Sequence, residues 1–241
     1  IAEGCGLMGP NAARMLNGTL YWMTPAGEFM IYTGGRPQAL ASTMRRDVSS
    51  NISWVQQDKV FAFQLSQCGE MCWLYPDARD GNECSRYALV NSQNQWANGT
   101  FERTCWADAG VFQFPLAVDT DGYIWYQEKG DSEDGAARTW HIESAYFDLG
   151  DGHYHQSIMG MYPDHEDLLG GYSVTVSTRH RSVQGLVDRT FGPYSINSAT
   201  GKVSMRAVGQ QVKVKWSATA APTFWRLGAP AFDVMATRRV R

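Results

Sequence analysis

The chain has no apolar run long enough to span a bilayer as a helix, so no membrane-spanning segment is expected. No serine sits in a Gly-x-Ser-x-Gly elbow, and no Gly-rich loop ends in Lys-Ser or Lys-Thr, so the signals of an α/β-hydrolase nucleophile and of a phosphate cradle are both missing. A strong charge of either sign is missing too. The net charge of -3 over 241 residues excludes a broadly basic nucleic-acid surface. The one dense basic cluster, Arg238, Arg239 and Arg241, reads as a solvated tail. No secretory signal is visible, but the chain opens on Ile1 rather than Met, so the start of the gene product is expected to be missing or removed.

Five cysteines, Cys5, Cys68, Cys72, Cys84 and Cys105, are an odd number and cannot form a closed disulfide framework, which suits a reducing compartment. Cys68 and Cys72 with Cys84 and Cys105 lack the tight paired spacing of a zinc ribbon, and Cys72 lies in the apolar run Met71 to Tyr75. A small buried hydrophobe is the better reading for it.

What is abundant is aromatic side chains and glycine: nine Trp, eleven Tyr, ten Phe and 24 Gly. That mixture favours sheets and tight turns. Gln211 to Trp216 alternates most clearly, with Val212, Val214 and Trp216 on one face and Gln211, Lys213 and Lys215 on the other. Further C-terminal strands are expected around Gly171–Arg179, Phe191, Gly201–Arg206 and Phe224–Gly228. Thr19 to Tyr32 reads as a hairpin turning at Thr24-Pro25-Ala26-Gly27. Val60–Leu65, Cys68–Tyr75 and Arg86–Asn91 read as three adjacent antiparallel strands, and Phe101–Trp106 as another. A hairpin is expected from Gly110–Phe114 through Asp119-Thr120-Asp121-Gly122 into Tyr123–Glu128. Trp140–Leu149 reads as a strand on which His155–Tyr162 pairs back, with Pro163–Gly171 as a loop. A short helix is expected between Gln38 and Ser53, and Gly130–Arg138 reads as an exposed seam.

The fold class is therefore all-β. Strands ending in Trp or Tyr, joined by Gly-containing turns, predict propeller-like blades over 1–150 and a C-terminal antiparallel β region over 151–241, with a β-sandwich as the alternative.

Chemistry-bearing groups are few. Asp119, Asp121, Glu128 and Asp131 near Trp125 and Tyr126 have the residue types of a glycoside hydrolase, yet Asp119 to Gly122 is first a turn. As a calcium loop it lacks the third ligand and the distal glutamate. His153 and His155, with His165 and Glu166 more distant, offer imidazoles for a metal but read better as solvated residues. His180, Ser182 and Asp188 contain the types of a hydrolase triad without its local signature. No cofactor and no metal are expected. The many aromatic rings also fit a carbohydrate-binding β module, although Trp73, Trp96, Trp106, Trp125 and Trp225 read better as packing between sheets. Tyr75, beside Trp73, belongs with them. Arg103 and Arg226 are candidates to stack or pair with carboxylates at a sheet or subunit seam.

An ordered set of short motifs carries a family resemblance. Trp-Leu-Tyr-Pro at 73–76, Arg-Tyr-Ala-Leu-Val-Asn at 86–91, Trp96, Arg103-Thr104-Cys105-Trp106, Asp-Gly-Tyr-Ile-Trp and Gln-Glu-Lys-Gly within 121–130, Tyr-Pro-Asp at 162–164, Gly192-Pro193-Tyr194 and Phe-Trp-Arg-Leu-Gly at 224–228 are together similar to the tail hub or nozzle proteins of short-tailed bacteriophages. The resemblance implies a virion structural protein with a β-propeller and no catalysis. Its copies, usually six, would form a ring below the portal and adaptor proteins. That ring would continue the channel for the genome, without sequence recognition, and anchor fibres or spikes. Family members are usually longer, so either Ile1 is not the true start or this subunit is reduced. A slightly acidic ring fits a channel through which DNA slides, because every phosphate contact would add affinity.

Overall fold

The computed structural model of the chain describes residues 4–137, 139–150, 154–180 and 188–239. The fold is all-β, with 53% strand and 6% helix, and the strands pair antiparallel in several separate sheets. Two compact units are present, Ile1–Lys129 and Gly130–Arg241.

The first unit starts with a meander of four strands, β1 (Ala13–Leu16), β2 (Thr19–Met23), β3 (Phe29–Tyr32) and β4 (Gln38–Ala39), adjacent in chain order. Asn17 and Gly18 take φ of 50° and 78° between β1 and β2, the left-handed pair that a two-residue hairpin turn requires. The Thr19–Tyr32 hairpin forms as expected, with Met23 opposite Phe29. A short helix α1 (Arg45–Asn51) and a 3-10 turn (Trp54–Lys59) lead into the second meander. Its strands are β5 (Phe61–Leu65), β6 (Glu70–Pro76), β7 (Cys84–Asn91) and β8 (Trp96–Thr100), again in chain order. A third, smaller sheet holds β9 (Cys105–Ala107), β10 (Leu116–Val118) and β11 (Ile124–Tyr126), with β10 in the middle.

These three sheets stack face to face, and the middle one explains why its strands are apolar on both sides. Along β6, Met71, Trp73 and Tyr75 join a core with Leu16, Met23 and Phe29 of the first sheet. The alternate residues Cys72 and Leu74 join Phe61, Phe63 and Leu65 in a second core, against which Phe101 and Trp106 pack. The leading strands are neighbours as well: Asn11, just before β1, bridges Phe61 of β5 in parallel, and its carbonyl accepts the Ala62 N–H at 2.7 Å.

Two expectations for this unit fail. Phe101 to Thr104 is not strand, because the Phe101 N–H turns back to the Ser85 carbonyl while the Thr104 N–H bonds that of Val118, carrying the chain from one sheet to the next. Gly110 to Phe114 is likewise a bend. The hairpin does turn at Asp119–Gly122, but its first strand is Leu116–Val118.

The second unit contains β12 (Trp140–Glu143), β13 (Phe147–Asp148), β14 (Tyr154–Tyr162), β15 (His165–Leu169), β16 (Gly171–Arg179), β17 (Arg189–Asn197), β18 (Val203–Gly209), β19 (Gln211–Ala218), β20 (Phe224–Leu227) and β21 (Ala231–Arg239). One sheet runs β12-β19-β16-β17 with β13 also on β19; another runs β18-β14-β21; β15 pairs with β20. The first two enclose one core. Tyr172, Val174, Val176, Val212, Val214 and Trp216 come from one sheet, and Ile158, Met161, Val203, Met205 and Ala207 from the other. The alternation along Gln211–Trp216 is as expected, with Val212, Val214 and Trp216 buried. Thr178 is a buried polar member of the same face; its Oγ1 donates to the Val208 carbonyl at 2.9 Å.

Here the expected pairing of His155–Tyr162 with Trp140–Leu149 is wrong. β14 instead lies between β18 and β21, which brings Ile158 and Met161 into the core with Met205 and Ala207. The Trp140–Leu149 segment pairs with β19 and breaks at Ser144, whose Oγ accepts the Val214 N–H at 3.0 Å and whose N–H donates to the Val214 carbonyl. Pro163–Gly171 is not a loop throughout, since His165–Leu169 pairs with β20.

Candidate assembly surfaces

The tryptophans singled out in the sequence lie mainly where sheets meet. At the first seam Trp73 is fully buried, and Phe29 touches both Trp73 and Trp96, with ring centroids at 4.8 and 4.6 Å. Tyr75 is enclosed beside them, and its Oη has no hydrogen-bond partner. Burial, then the charges of Asp47 and Asp77, pushes its pKa up to about 12, so the phenol stays neutral.

At the second seam Trp106 stacks on Phe63 at 4.3 Å and meets Phe101 edge-on at 6.3 Å. Arg103 lays its guanidinium over Phe101 at 4.7 Å while Nη1 donates to the Glu102 carbonyl. Trp125 lies across from Ala117, on the same face as Trp106. Its indole donates to Asp119 Oδ2 at 2.6 Å, and Asp119 Oδ1 accepts the Asp121 and Tyr123 N–H groups. These bonds, the indole's first, hold the Asp119 carboxyl below its ordinary range. Asp119 is thus a turn residue, and Asp121 and Asp131 lie exposed at separate bends.

Trp225 and Arg226 belong to β20 in the second unit. Trp225 stacks on Tyr172 at 4.4 Å and on Trp140 at 4.9 Å, and the Tyr172 hydroxyl meets His165 Nδ1 at 3.1 Å. Arg226 pairs with Asp167 at 3.4 Å on the surface, a geometry that contributes little. His165 is occupied with Tyr172, and the His155 ring meets His180 at 4.5 Å. Among the described residues no group of three His, Cys, Asp or Glu is arranged to hold a metal ion. His153 and Ser182 lie outside the described residues. Cys68, Cys72, Cys84 and Cys105 are free thiols, with Cys72 and Cys84 buried.

Sequence reading missed an ionic clasp. Asp77 is fully buried and accepts from Arg79 Nε at 2.8 Å and Nη2 at 2.6 Å, with Arg86 Nε at 3.4 Å. Arg86 also pairs with Asp80 at 2.6 Å, and Arg79 lies 3.6 Å from Asp47 of α1. Burial alone would raise the Asp77 pKa, but the hydrogen bonds and charge of Arg79, with Arg86, lower it overall. Asp77, Arg79 and Asp80 sit in the polar stretch between two expected strands, and no local pattern marks Asp77 as enclosed.

Both outer sheets of the stack keep exposed apolar side chains on their outer faces, although on the first sheet Trp22 and Met30 of that face are buried and the Trp22 indole donates to the Cys5 carbonyl at 3.2 Å. On the third sheet the face opposite Trp106 and Trp125 carries Leu116, Val118, Ile124 and Tyr126, with Ile124 70% and Tyr126 56% exposed. On the first sheet, Met15, Leu20 and Tyr32 form one cross-strand row on the face opposite Leu16 and Phe29, with Met15 57% exposed. In the second unit a groove of about 490 Å³ around Gly171 is lined by Ser173, Ser195, Asn197, Ser217 and Thr219 together with Ile196 and Ala218. A scan against protein-family models and a search of curated proteins found no match to this chain.

Proposed function

We propose that the chain is a virion structural protein, a tail hub or nozzle subunit of a short-tailed bacteriophage that self-assembles into a ring and performs no chemistry. The observation that carries this reading is the stack of three consecutive meander sheets in the first unit, with leading strands side by side and aromatic residues filling both seams. In this reading the sheets are propeller blades, the fold that the motif resemblance implies. The second unit, in this reading, is a two-layer sandwich appended to them. The ring lies below the portal and adaptor proteins, lets the genome pass without sequence recognition, and presents surfaces for fibres or spikes. Its place is the virion tail, and it is made in the cytoplasm of the bacterial host.

A second reading, a glycan-binding or glycan-degrading module of a phage tail, is favoured by the hydroxyl-lined groove of the second unit. Against it, Trp225, the ring best suited to a sugar platform, is already stacked on Tyr172 and Trp140. Mass photometry over a concentration series tests the first reading, which expects a discrete oligomer. A chain that stays monomeric at high concentration, and that cleaves a polysaccharide with activity lost in Asp121→Asn, overturns it.

A further inference from the structure

We infer that Asn17 is a site of spontaneous covalent modification, where the side-chain amide is lost and an isoaspartyl linkage is left in the turn between β1 and β2. The inference goes beyond the proposed function and does not rest on it.

The reaction needs an asparagine followed by a backbone nitrogen free to attack it. The Gly18 nitrogen bonds to Asn17 Cγ, the Cγ–Nδ2 bond breaks, and ammonia leaves with the proton from the Gly18 nitrogen, which closes a five-membered succinimide. Water then opens that ring at either carbonyl, giving aspartate or isoaspartate. No oxidant or enzyme is required. A side chain on the following residue hinders the attack, and only Asn17 and Asn98 precede glycine.

Both stand in the same tripeptide, Asn-Gly-Thr, so folding rather than local sequence separates them. Asn98 and Gly99 lie inside β8. In its ladder with β7, the Phe101 N–H donates to the Ser85 carbonyl and the Asn91 N–H to the Gln95 carbonyl. Bonded and unbonded pairs alternate along an antiparallel ladder, so Tyr87 and Gly99, between those two points, are a bonded pair. The Gly99 N–H is therefore spent on the Tyr87 carbonyl, and the Tyr87 ring crowds Gly99 as well. Asn17 and Gly18 are instead the two turn residues, both exposed, with φ of 50° and 78°. Leu16 and Thr19 pair with each other around them, which leaves the Gly18 N–H outside the ladder. The Asn17 side chain makes no hydrogen bond among the described residues, and nothing lies within 4 Å of where a Gly18 Cβ would stand.

The two products differ in what they do to the turn. Aspartate keeps the backbone and suits the position before glycine in a left-handed two-residue turn. Isoaspartate routes the chain through the side-chain carbon and adds a methylene, so the Leu16–Thr19 pairing is lost. That hairpin carries Leu16 and Met23 into the first seam, and the disturbance is expected to reach β1 and β2.

The test ages the full folded chain in mildly alkaline buffer and reads amide loss in the Asn17 and Asn98 peptides by mass spectrometry. Asn98 is expected to convert about fivefold more slowly, the cost of first breaking one ladder hydrogen bond. In urea concentrated enough to unfold the chain, the two identical tripeptides are expected to convert at the same rate. Aged protein carrying isoaspartate at position 17 is expected to exchange amide hydrogens faster in β1 and β2. Fresh Asn17→Asp, which has the charge without the methylene, is expected to exchange as the wild type does. Folded protein in which Asn98 converts as fast as Asn17 overturns the assignment, and so does a difference that persists in urea. Isoaspartate at position 17 with unchanged exchange in β1 and β2 overturns the loosening of the hairpin. None of these results depends on ring formation, so this inference and the tail-subunit reading fail separately.

Discussion

Trp73 and Trp96, both of the second sheet, stack on each other at 6.1 Å with 17° between their planes, and both indoles donate to carbonyls on the first sheet's side of the seam. Trp73 Nε1 bonds the Ala12 carbonyl at 3.2 Å and Trp96 Nε1 that of Ala41 at 2.9 Å. The pair therefore fixes the seam at two points, before β1 and after β4, as well as filling it. Trp73→Ala is expected to cost about 3–5 kcal/mol, and Trp96→Ala less because Trp96 keeps some exposure. Urea titration of both variants and of the double variant measures this, and the double should fall short of the sum, since the rings share one contact.

The Asp77 clasp predicts acid sensitivity in the first unit. A carboxyl whose folded pKa lies below its unfolded value of about 3.9 stabilises the fold above that value and loses the contribution as pH falls through the folded pKa. Asp77→Asn is expected to cost about 2 kcal/mol at neutral pH, from the lost charge-assisted bonds to Arg79. The gap between wild type and variant should shrink as pH falls below about 4, where the unfolded carboxyl takes up a proton while the folded one does so only at lower pH. A gap in melting temperature that does not narrow on acidification would contradict this.

Trp225 tests whether the two units are separate energetically as well as in contact pattern. Trp225→Ala removes a ring stacked on Tyr172 and Trp140, at an expected cost of about 3 kcal/mol. Hydrogen exchange read by mass spectrometry should then show faster exchange in β16 and β19 and unchanged protection in β5 to β7. Uniform loss across the chain would mean that the units unfold together.

Gly99 faces Tyr87 across the β7–β8 pair, and a Cβ there would lie 2.7 Å from the Tyr87 ring. Gly99→Val is expected to displace that ring and cost about 1–3 kcal/mol. Combining it with Tyr87→Ala should recover part of the loss, because the smaller side chain vacates the crowded space. Thermal melts of the two single variants and the double decide this.

The sequence made much of this fold legible, and the misses have a common cause. Gln211–Trp216 and Thr19–Tyr32 were readable because period-two alternation and a Pro–Gly turn are local signals. Which strand neighbours which is not local. β14 goes to β18 and β21 rather than back to β12, a choice made by core packing around Ile158 and Met161. His165–Leu169 looked like an acidic loop because a short strand in a two-stranded sheet needs no apolar alternation. At the seams, Trp73 and Trp106 were legible as aromatics that pack between sheets, the first buried and the second half-buried. Phe29 and Trp140 were passed over because their importance lies in the partner ring, which only folding supplies. Asp77 was invisible for the same reason.

The central claim is that this chain builds a ring around an open axis, and electron-microscope class averages of its largest stable assembly test it most directly. The account predicts closed rings with an axial hole wide enough for duplex DNA. Compact particles without a hole, at every concentration and in the presence of the adaptor ring, would contradict it.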